Sequence, residues 1–386
     1  VGLEEAGYPP VRGILLRDQR HDVFIPIRCI QSLDLEKVIL TVDQLPLEDF
    51  ERHDGEVLLE HDIIDRQLID VHGARVVRAN DAELAERGKR LSLVAIDASA
   101  GGLLRRLVPR RIASGIEGNL LDWAVVEPLA SEVPDVRLHI THDKLAKLHP
   151  SDIARIIDSL AVKQGEEILR SLDNALAADT LEEIEEDHQA GILERLPPER
   201  AADLLEEMAP DAAADLLDDL PPEHAADLIE HMEAEESSDV SLLLTYPEHS
   251  VGGLMTTDVP VVPAGLSVAQ AVERLRASDL WDDLRAYIFV TDAEDPAKLR
   301  GVVTLPQLLV AQGQQPIEEF MHRDVRIVHS TEPAIEAVRI LTEYNLLAVP
   351  VVDEQGRLIG MVTADDALEY LLPEQYKRHS SRFLSR

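Results

Sequence analysis

The residues in this chain best suited to chemistry are carboxylates. Between Pro197 and Glu236 there are fourteen Asp and Glu and one basic residue, Arg200. Asp211/Asp215 and Glu223/Asp227 are spaced i,i+4, which puts each pair on one face of a helix. Further along, "TADDALEYLLPE" offers Asp366, Glu369 and Glu374, the first two three apart and on a shared helical face. At roughly 4 Å two like charges repel by about 1 kcal/mol in water, and several-fold more near a low-dielectric surface. A fold that sets such groups opposite one another is held apart until cations arrive. Mg2+, Mn2+ and Ca2+ prefer oxygen ligands, and Mg2+ keeps several of its waters, so loosely placed carboxylates suffice. The expected ion is a hard divalent cation, Mg2+, Mn2+ or Ca2+. The competing account of any one pair is a solvated outer face. For Asp365 and Asp366 it is the opening of a helix, where acids favour the positive dipole end.

Composition narrows the classes further. The 386 residues hold 74 Asp+Glu and 37 Lys+Arg, a formal charge of −37. That excludes a general nucleic-acid binder, which needs a basic footprint to displace phosphate counterions. Enzymatic motifs are missing: there is no Gly-x-Gly-x-x-Gly after a strand, no Gly-Lys-Ser/Thr phosphate loop and no Gly-x-Ser-x-Gly. Of fourteen histidines, only His139 and His142 ("HITH") form a suggestive pair, and scattered surface histidines account for them better. The chain therefore reads as a non-enzyme with no catalytic residues. Its one cysteine, Cys29, excludes an internal disulfide and a Cys-rich zinc site and fits a reducing compartment. The longest uncharged stretch, Gly301–Ile317, contains two prolines and four glutamines, so no segment reads as membrane-spanning. The expected location is the cytoplasm.

Three regions must position these acids. Residues 1–130 show short apolar runs separated by polar turns, at Val11–Leu16, Val23–Ile27, Val38–Val42, Leu68–Val71, Arg75–Arg78 and Leu91–Ile96. That spacing predicts small antiparallel β structures. Residues 131–249 contain a twelve-residue period. Its ninth position is Ile157, Leu169, Leu181, Leu193, Leu205, Leu217 and Ile229, and its twelfth is Leu160, Leu172, Ile184, Leu196, Met208, Leu220 and Met232. Pro150, Pro197–Pro198, Pro210 and Pro221–Pro222 restart the helix, because proline is tolerated only in a first turn. Helices of about nine residues are unstable alone and must stack into a superhelix. Residues 250–372 alternate β-rich runs with amphipathic helices and divide into two similar halves, "LMTTDVPVVPAGLSVAQAVERLRA" beside "FMHRDVRIVHSTEPAIEAVRILTE" and "YIFVTDAEDPAKLRGVVTLPQLL" beside "LAVPVVDEQGRLIGMVTADDALEYL". Residues 373–386 form a basic tail.

These patterns carry resemblances. "LIDVHGARVVRANDAEL" with "RLSLVAID" resembles the PRC-barrel family, with Gly73 at a turn where positive φ is easiest for glycine and Gly13 at the like position of a weaker upstream copy. The paired halves resemble a tandem CBS domain (Bateman module). A twelve-residue solenoid, then "VGGLMT" (Gly252 to Thr256), then two CBS repeats resembles the cytosolic half of MgtE magnesium channels over about residues 145–375. The fold implied is multidomain: all-β PRC-barrel-like, all-α superhelical, then α/β tandem CBS.

The resemblance also implies sites. In the MgtE family, acids at the positions of Asp366, Glu369 and Glu374 bind Mg2+, and another acid of that set falls here at Asn345, a weaker neutral ligand. "GMVTADD" fits the CBS nucleotide pattern, placing Gly360, Thr363 and Asp366 where AMP or ATP would be held. In the first half Gln307 replaces the ribose acid. CBS pairs usually associate in twos, which implies a homodimer. The favoured expectation is a soluble cytoplasmic regulator that senses divalent cation at acidic solenoid–CBS boundaries and controls a partner. One alternative is the cytosolic gating part of a channel, with a membrane transporter as partner. The other is an adenine-nucleotide-responsive adaptor.

Overall fold

The computed structural model describes residues 8–17, 22–33, 37–41, 48–49, 56–88, 90–99, 101, 118–129, 144–277 and 287–372. The His139/His142 pair, Glu374 and the basic tail lie outside these described residues. The chain forms two compact units, Val1–Leu172 and Asp173–Arg386.

The first unit is mainly antiparallel β. Its strands are β1 (Gly13–Arg17), β2 (Asp22–Pro26), β3 (Ile30–Leu33), β4 (Val38–Leu40), β5 (Glu48–Asp49), β6 (Gln67–Asp70), β7 (Arg75–Arg78), β8 (Asp81–Arg87), β9 (Arg90–Asp97), β10 (Leu120–Asp122) and β11 (Val126–Pro128). They pair as β1-β2-β5, β3-β4, β11-β6-β7 and β10-β9-β8. Ile63, Leu68, Leu93, Ile96, Trp123 and Val126 meet in one buried cluster. Burying side chains of this size is worth about 1.5–3 kcal/mol each. Two short helices belong to this unit: α1 (Pro150–Asp158), which packs on β7, and α2 (Val162–Ser171).

The two glycines expected to serve as turn residues do something else. At the β6–β7 turn the positive φ (43°) belongs to Ala74, not Gly73. Gly73 is needed because a Cβ there would lie 2.5 Å from Asp70 Oδ2, while its own N–H donates to Asp70 Oδ1 at 2.9 Å. Gly13 is not at a turn but inside β1, where a Cβ would meet Ile25 O at 2.4 Å.

The second unit starts with six short helices: α3 (Asn174–Glu182), α4 (Glu186–Leu193), α5 (Pro198–Glu207), α6 (Pro210–Asp218), α7 (Pro222–His231) and α8 (Ala234–Leu243). Prolines occupy the first turn of α5, α6 and α7, as the twelve-residue period requires. Helices two apart pack together: α3 on α5, α5 on α7 and α6 on α8. Ala201, Leu204, Leu205, Ala213, Leu216 and Leu217 are almost fully buried between them. The small alanines let these short rods approach closely.

Two α/β repeats follow. The first contains β12 (Val261–Pro263), α9 (Val268–Arg276), β13 (Tyr287–Thr291), β14 (Leu299–Thr304) and α10 (Leu305–Val310). The second contains β15 (Val328–His329), α11 (Ala334–Tyr344), β16 (Ala348–Val352), β17 (Leu358–Thr363) and α12 (Ala364–Leu371). In each, the short first strand lies parallel to the second, and the second pairs antiparallel with the third. Even the register shift recurs, at Val290/Thr291 and Val351/Val352. The duplication seen in the sequence is therefore a duplication of topology.

The segment joining helices to repeats is clamped to the second repeat. Val251 N–H donates to Glu332 O and Gly252 N–H to Ser330 O, each at 2.8 Å. Thr256 exchanges two backbone hydrogen bonds with Met361 of β17, at 2.9 and 3.0 Å. This bridge carries Thr256 and Asp258 to the start of α12.

Candidate functional site

A cavity of 460 Å3 opens where the α3–α6 helices meet the paired repeats. The helices contribute Asp179, Glu182, Glu207 and Asp211 to its lining, and the repeats contribute Asp258, Asp365 and Asp366. No Lys, Arg or His stands among the described residues that line it. The remaining wall is largely apolar, with Met208, Pro260, Tyr287, Leu347 and Met361.

Asp211 lies in the first turn of α6, one residue after Pro210. Its Oδ1 is shut off from solvent and has no hydrogen-bond partner. Burial, and then the charge of Asp366, pushes its carboxyl up to about 7, while hydrogen bonds from its own backbone and from Thr256 pull it back. Asp215, one turn along α6, adds a smaller repulsion. Asp366 is raised as well, by burial first and then by the charges of Asp365 and Glu369. Two carboxylates from different domains thus lie close enough that the charge of Asp366 opposes ionisation of Asp211.

Local sequence explains where Asp366 points. Thr363 caps α12: its Oγ1 accepts from Asp366 N–H and donates to Asp366 Oδ2, while Thr363 N–H donates to the same oxygen at 3.2 Å. Asp366 is therefore both a capping residue and a wall of the cavity. In the first repeat Thr304 and Gln307 form the same reciprocal cap on α10. Glutamine preserves the cap there without the charge. Replacing Thr363 by Ala is expected to cost about 1 kcal/mol of stability, read as a lower urea midpoint. A midpoint unchanged from wild type would show that the cap is idle.

The structure brings together only some of the residues singled out from sequence. Asp211, Thr363 and Asp366 line the cavity, and Asp215 and Glu369 act on it through their charges. Glu223 and Asp227 lie on α7 and take no part in the lining; Asp227 instead accepts from the His231 ring through its backbone carbonyl at 2.7 Å. Asn345 ends α11 in the left-handed conformation, φ 52°, a position that asparagine tolerates well. Gly360 does not line the cavity: a Cβ there would meet Met255 Sδ and Thr256 O, each at 2.7 Å, so it lets the junction segment lie against β17. Sequence reasoning missed Asp179, Glu182, Glu207, Asp258 and Asp365. The i,i+3 spacing of Asp179 and Glu182, the place of Glu207 in the acid-rich stretch and that of Asp365 beside Asp366 were the available signals. Among the described residues no three carboxylate or histidine groups form a ready-made metal cage.

Comparison with known proteins agrees with this architecture. Residues 148–249 match the family described as the MgtE intracellular N domain, and residues 251–313 and 317–373 each match the CBS domain. The magnesium transporter MgtE of Thermus thermophilus is 36% identical over 135 residues, covering 35% of this chain and 30% of that protein. That of Bacillus subtilis is 28% identical over the same length and the same shares. The chain thus spans about a third of these curated relatives. A solved structure of the cytosolic domain of the Mg2+ channel MgtE in complex with ATP shares 31% identity and superposes with a TM-score of 0.54, covering 60% of this chain and 95% of that one. The soluble part of a magnesium transporter gives a TM-score of 0.55 at 29% identity, covering 59% and 90%. Among the described residues no helix is long and apolar enough to cross a membrane. With an N domain and a CBS pair in the same order, and nearly the whole of a solved cytosolic MgtE domain covered, this chain belongs to the MgtE family.

Proposed function

We infer that the chain is a divalent-cation sensor whose ion, Mg2+ by preference, sits between the helical domain and the CBS pair and draws Asp211 and Asp366 together. The observation that carries this reading is the enclosed, unpartnered Asp211 Oδ1 opposite Asp366 in a cavity lined by seven carboxylates. Without a cation, ionising both groups pushes the two domains apart; with one, their repulsion becomes shared attraction. The ion acts because it binds the closed arrangement better than the open one. Joined to the membrane part of a transporter such as those it resembles, this closure would gate transport.

Limited proteolysis in chelator and in millimolar Mg2+ tests the idea. Slower cleavage between α8 and β12 is expected with Mg2+. Identical patterns in the two buffers would overturn it.

The cavity also supports a second ligand. Its volume lies within the range of about 300–1,000 Å3 usual for organic ligands, and Thr363 and Asp366 are where CBS domains hold adenine nucleotides. The acidic lining requires ATP to arrive with its metal. Calorimetry with Mg-ATP on wild type and Asp366→Ala decides this; equal heats would remove the assignment.

A homodimer through the CBS pair is part of the same proposal. Leu309 on α10 is 77% exposed and Leu368, the fifth residue after the capping Thr363 as Leu309 is after Thr304, is 65% exposed. Equivalent apolar residues on both repeats suit a two-fold interface. Replacing both by Asp is expected to give a monomer by light scattering, whereas an unchanged mass would exclude this face.

A further inference from the structure

We propose that the same cavity binds a linear aliphatic polyamine, its ammonium groups on carboxylates from the two domains and its methylene stem along the apolar wall. The inference rests on the cavity described above but not on its occupation by a metal ion.

Size is the first argument. Six waters around Mg2+ occupy roughly 180 Å3 at about 30 Å3 per water, well short of the 460 Å3 present. A hydrated ion alone leaves much of the space to bulk solvent.

Charge is the second. The acids are distributed over both walls, Asp179, Glu182, Glu207 and Asp211 on one and Asp258, Asp365 and Asp366 on the other. A ligand with one positive centre reaches only the acids beside it, as an ion between Asp211 and Asp366 would. A ligand with several charges held apart by short apolar spacers matches both sides at once. The enclosed Asp211 oxygen lacks a donor, and an ammonium supplies up to three.

The apolar wall is the third. Leu347 is 57% exposed, and it lines the cavity with Pro260, Tyr287 and Met361. A bare divalent ion gains nothing from such a surface. A methylene stem gains about 0.8 kcal/mol for each CH2 it buries.

The test is calorimetric titration of the metal-free full chain at physiological ionic strength with spermidine, with putrescine and with MgCl2 separately. One spermidine per chain is expected, binding more tightly than putrescine and displaced by Mg2+. Asp211→Asn should weaken spermidine by about tenfold or more, as loss of a hydrogen bond to a charged group does. Leu347→Ser should weaken spermidine several-fold, because the methylene stem loses its apolar wall. Many spermidines per chain, with affinity indifferent to both substitutions, would mean diffuse attraction to the net negative charge and would overturn the proposal. Binding of Mg2+ with no binding of spermidine overturns it too and leaves the cation sensor standing. Spermidine binding at this site without Mg2+ binding has the opposite meaning.

Discussion

Asp211→Asn is expected to make the cation-free protein more stable, and to erase most of the stabilisation that Mg2+ gives the wild type. In the fold the Asp211 carboxyl is pushed from 3.8 up to about 7 by burial and by Asp366. At about 1.4 kcal/mol per pKa unit, relieving that strain should raise stability at neutral pH by about 2–4 kcal/mol. The sign follows from proton binding. Between pH 4 and 7, the folded protein keeps a proton on Asp211 that the unfolded chain has lost. Stability of the wild type in chelator therefore falls as pH rises through that window and levels off above it. The variant should show a shallower fall. It will not be flat, because Glu206 and Asp239, also raised by burial and by neighbouring acids, contribute the same slope. On the proposed site protons and Mg2+ would compete for the same oxygens, so the Mg2+-induced rise in melting temperature should shrink below neutral pH in the wild type. Melting curves across pH, with chelator and with Mg2+, check all three statements. A variant less stable than the wild type in chelator at neutral pH would show that Asp211 is satisfied rather than strained.

Gly360→Ala is the second large effect, a loss of about 3 kcal/mol. The new Cβ would lie 2.7 Å from both Met255 Sδ and the backbone oxygen of Thr256. The sulfur can swing aside, but the Thr256 backbone is held by its paired hydrogen bonds to Met361. Met255 is fully buried, which leaves little room for the shift. The segment must therefore lift off β17, taking with it the Thr256 hydroxyl that bonds Asp211. Loss of stability and loss of the cation response should appear together. Gly313→Ala is the control, since its nearest new contact, Ala269 Cβ, is an ordinary 3.7 Å away. Chemical denaturation with and without Mg2+ measures both variants. A Gly360→Ala protein that melts like the Gly313→Ala control would refute the packing role.

The helical region was the most legible part of the sequence. Pro198, Pro210 and Pro222, twelve residues apart, can sit only in first turns, and the apolar ninth and twelfth positions throughout can only face inward, so the chain has one regular way to satisfy both. The repeats were legible because one topology is written twice. Residues 1–130 were harder to read. Short apolar runs show where strands lie but not which ones pair, and the roles of Gly13 and Gly73 depended on neighbours such as Ile25 and Asp70.

The candidate site was legible by type and only half legible by place. Acid density announced that carboxylates matter, and the spacing after Thr363 fixed how Asp366 is capped, because both facts are local. Which acids meet was not local. Glu223 and Asp227 have the same spacing as Asp211 and Asp215, yet α7 carries them outside the cavity lining while α6 carries Asp211 into it. The Thr256–Met361 bridge holds Thr256 on β17, and the Thr256 hydroxyl in turn bonds Asp211 of α6. Composition and period alone determined that this protein would be an acidic stack of short helices followed by a duplicated α/β pair. The tertiary structure decided which two carboxylates would share one enclosed space, because burial and facing charge depend on where domains dock.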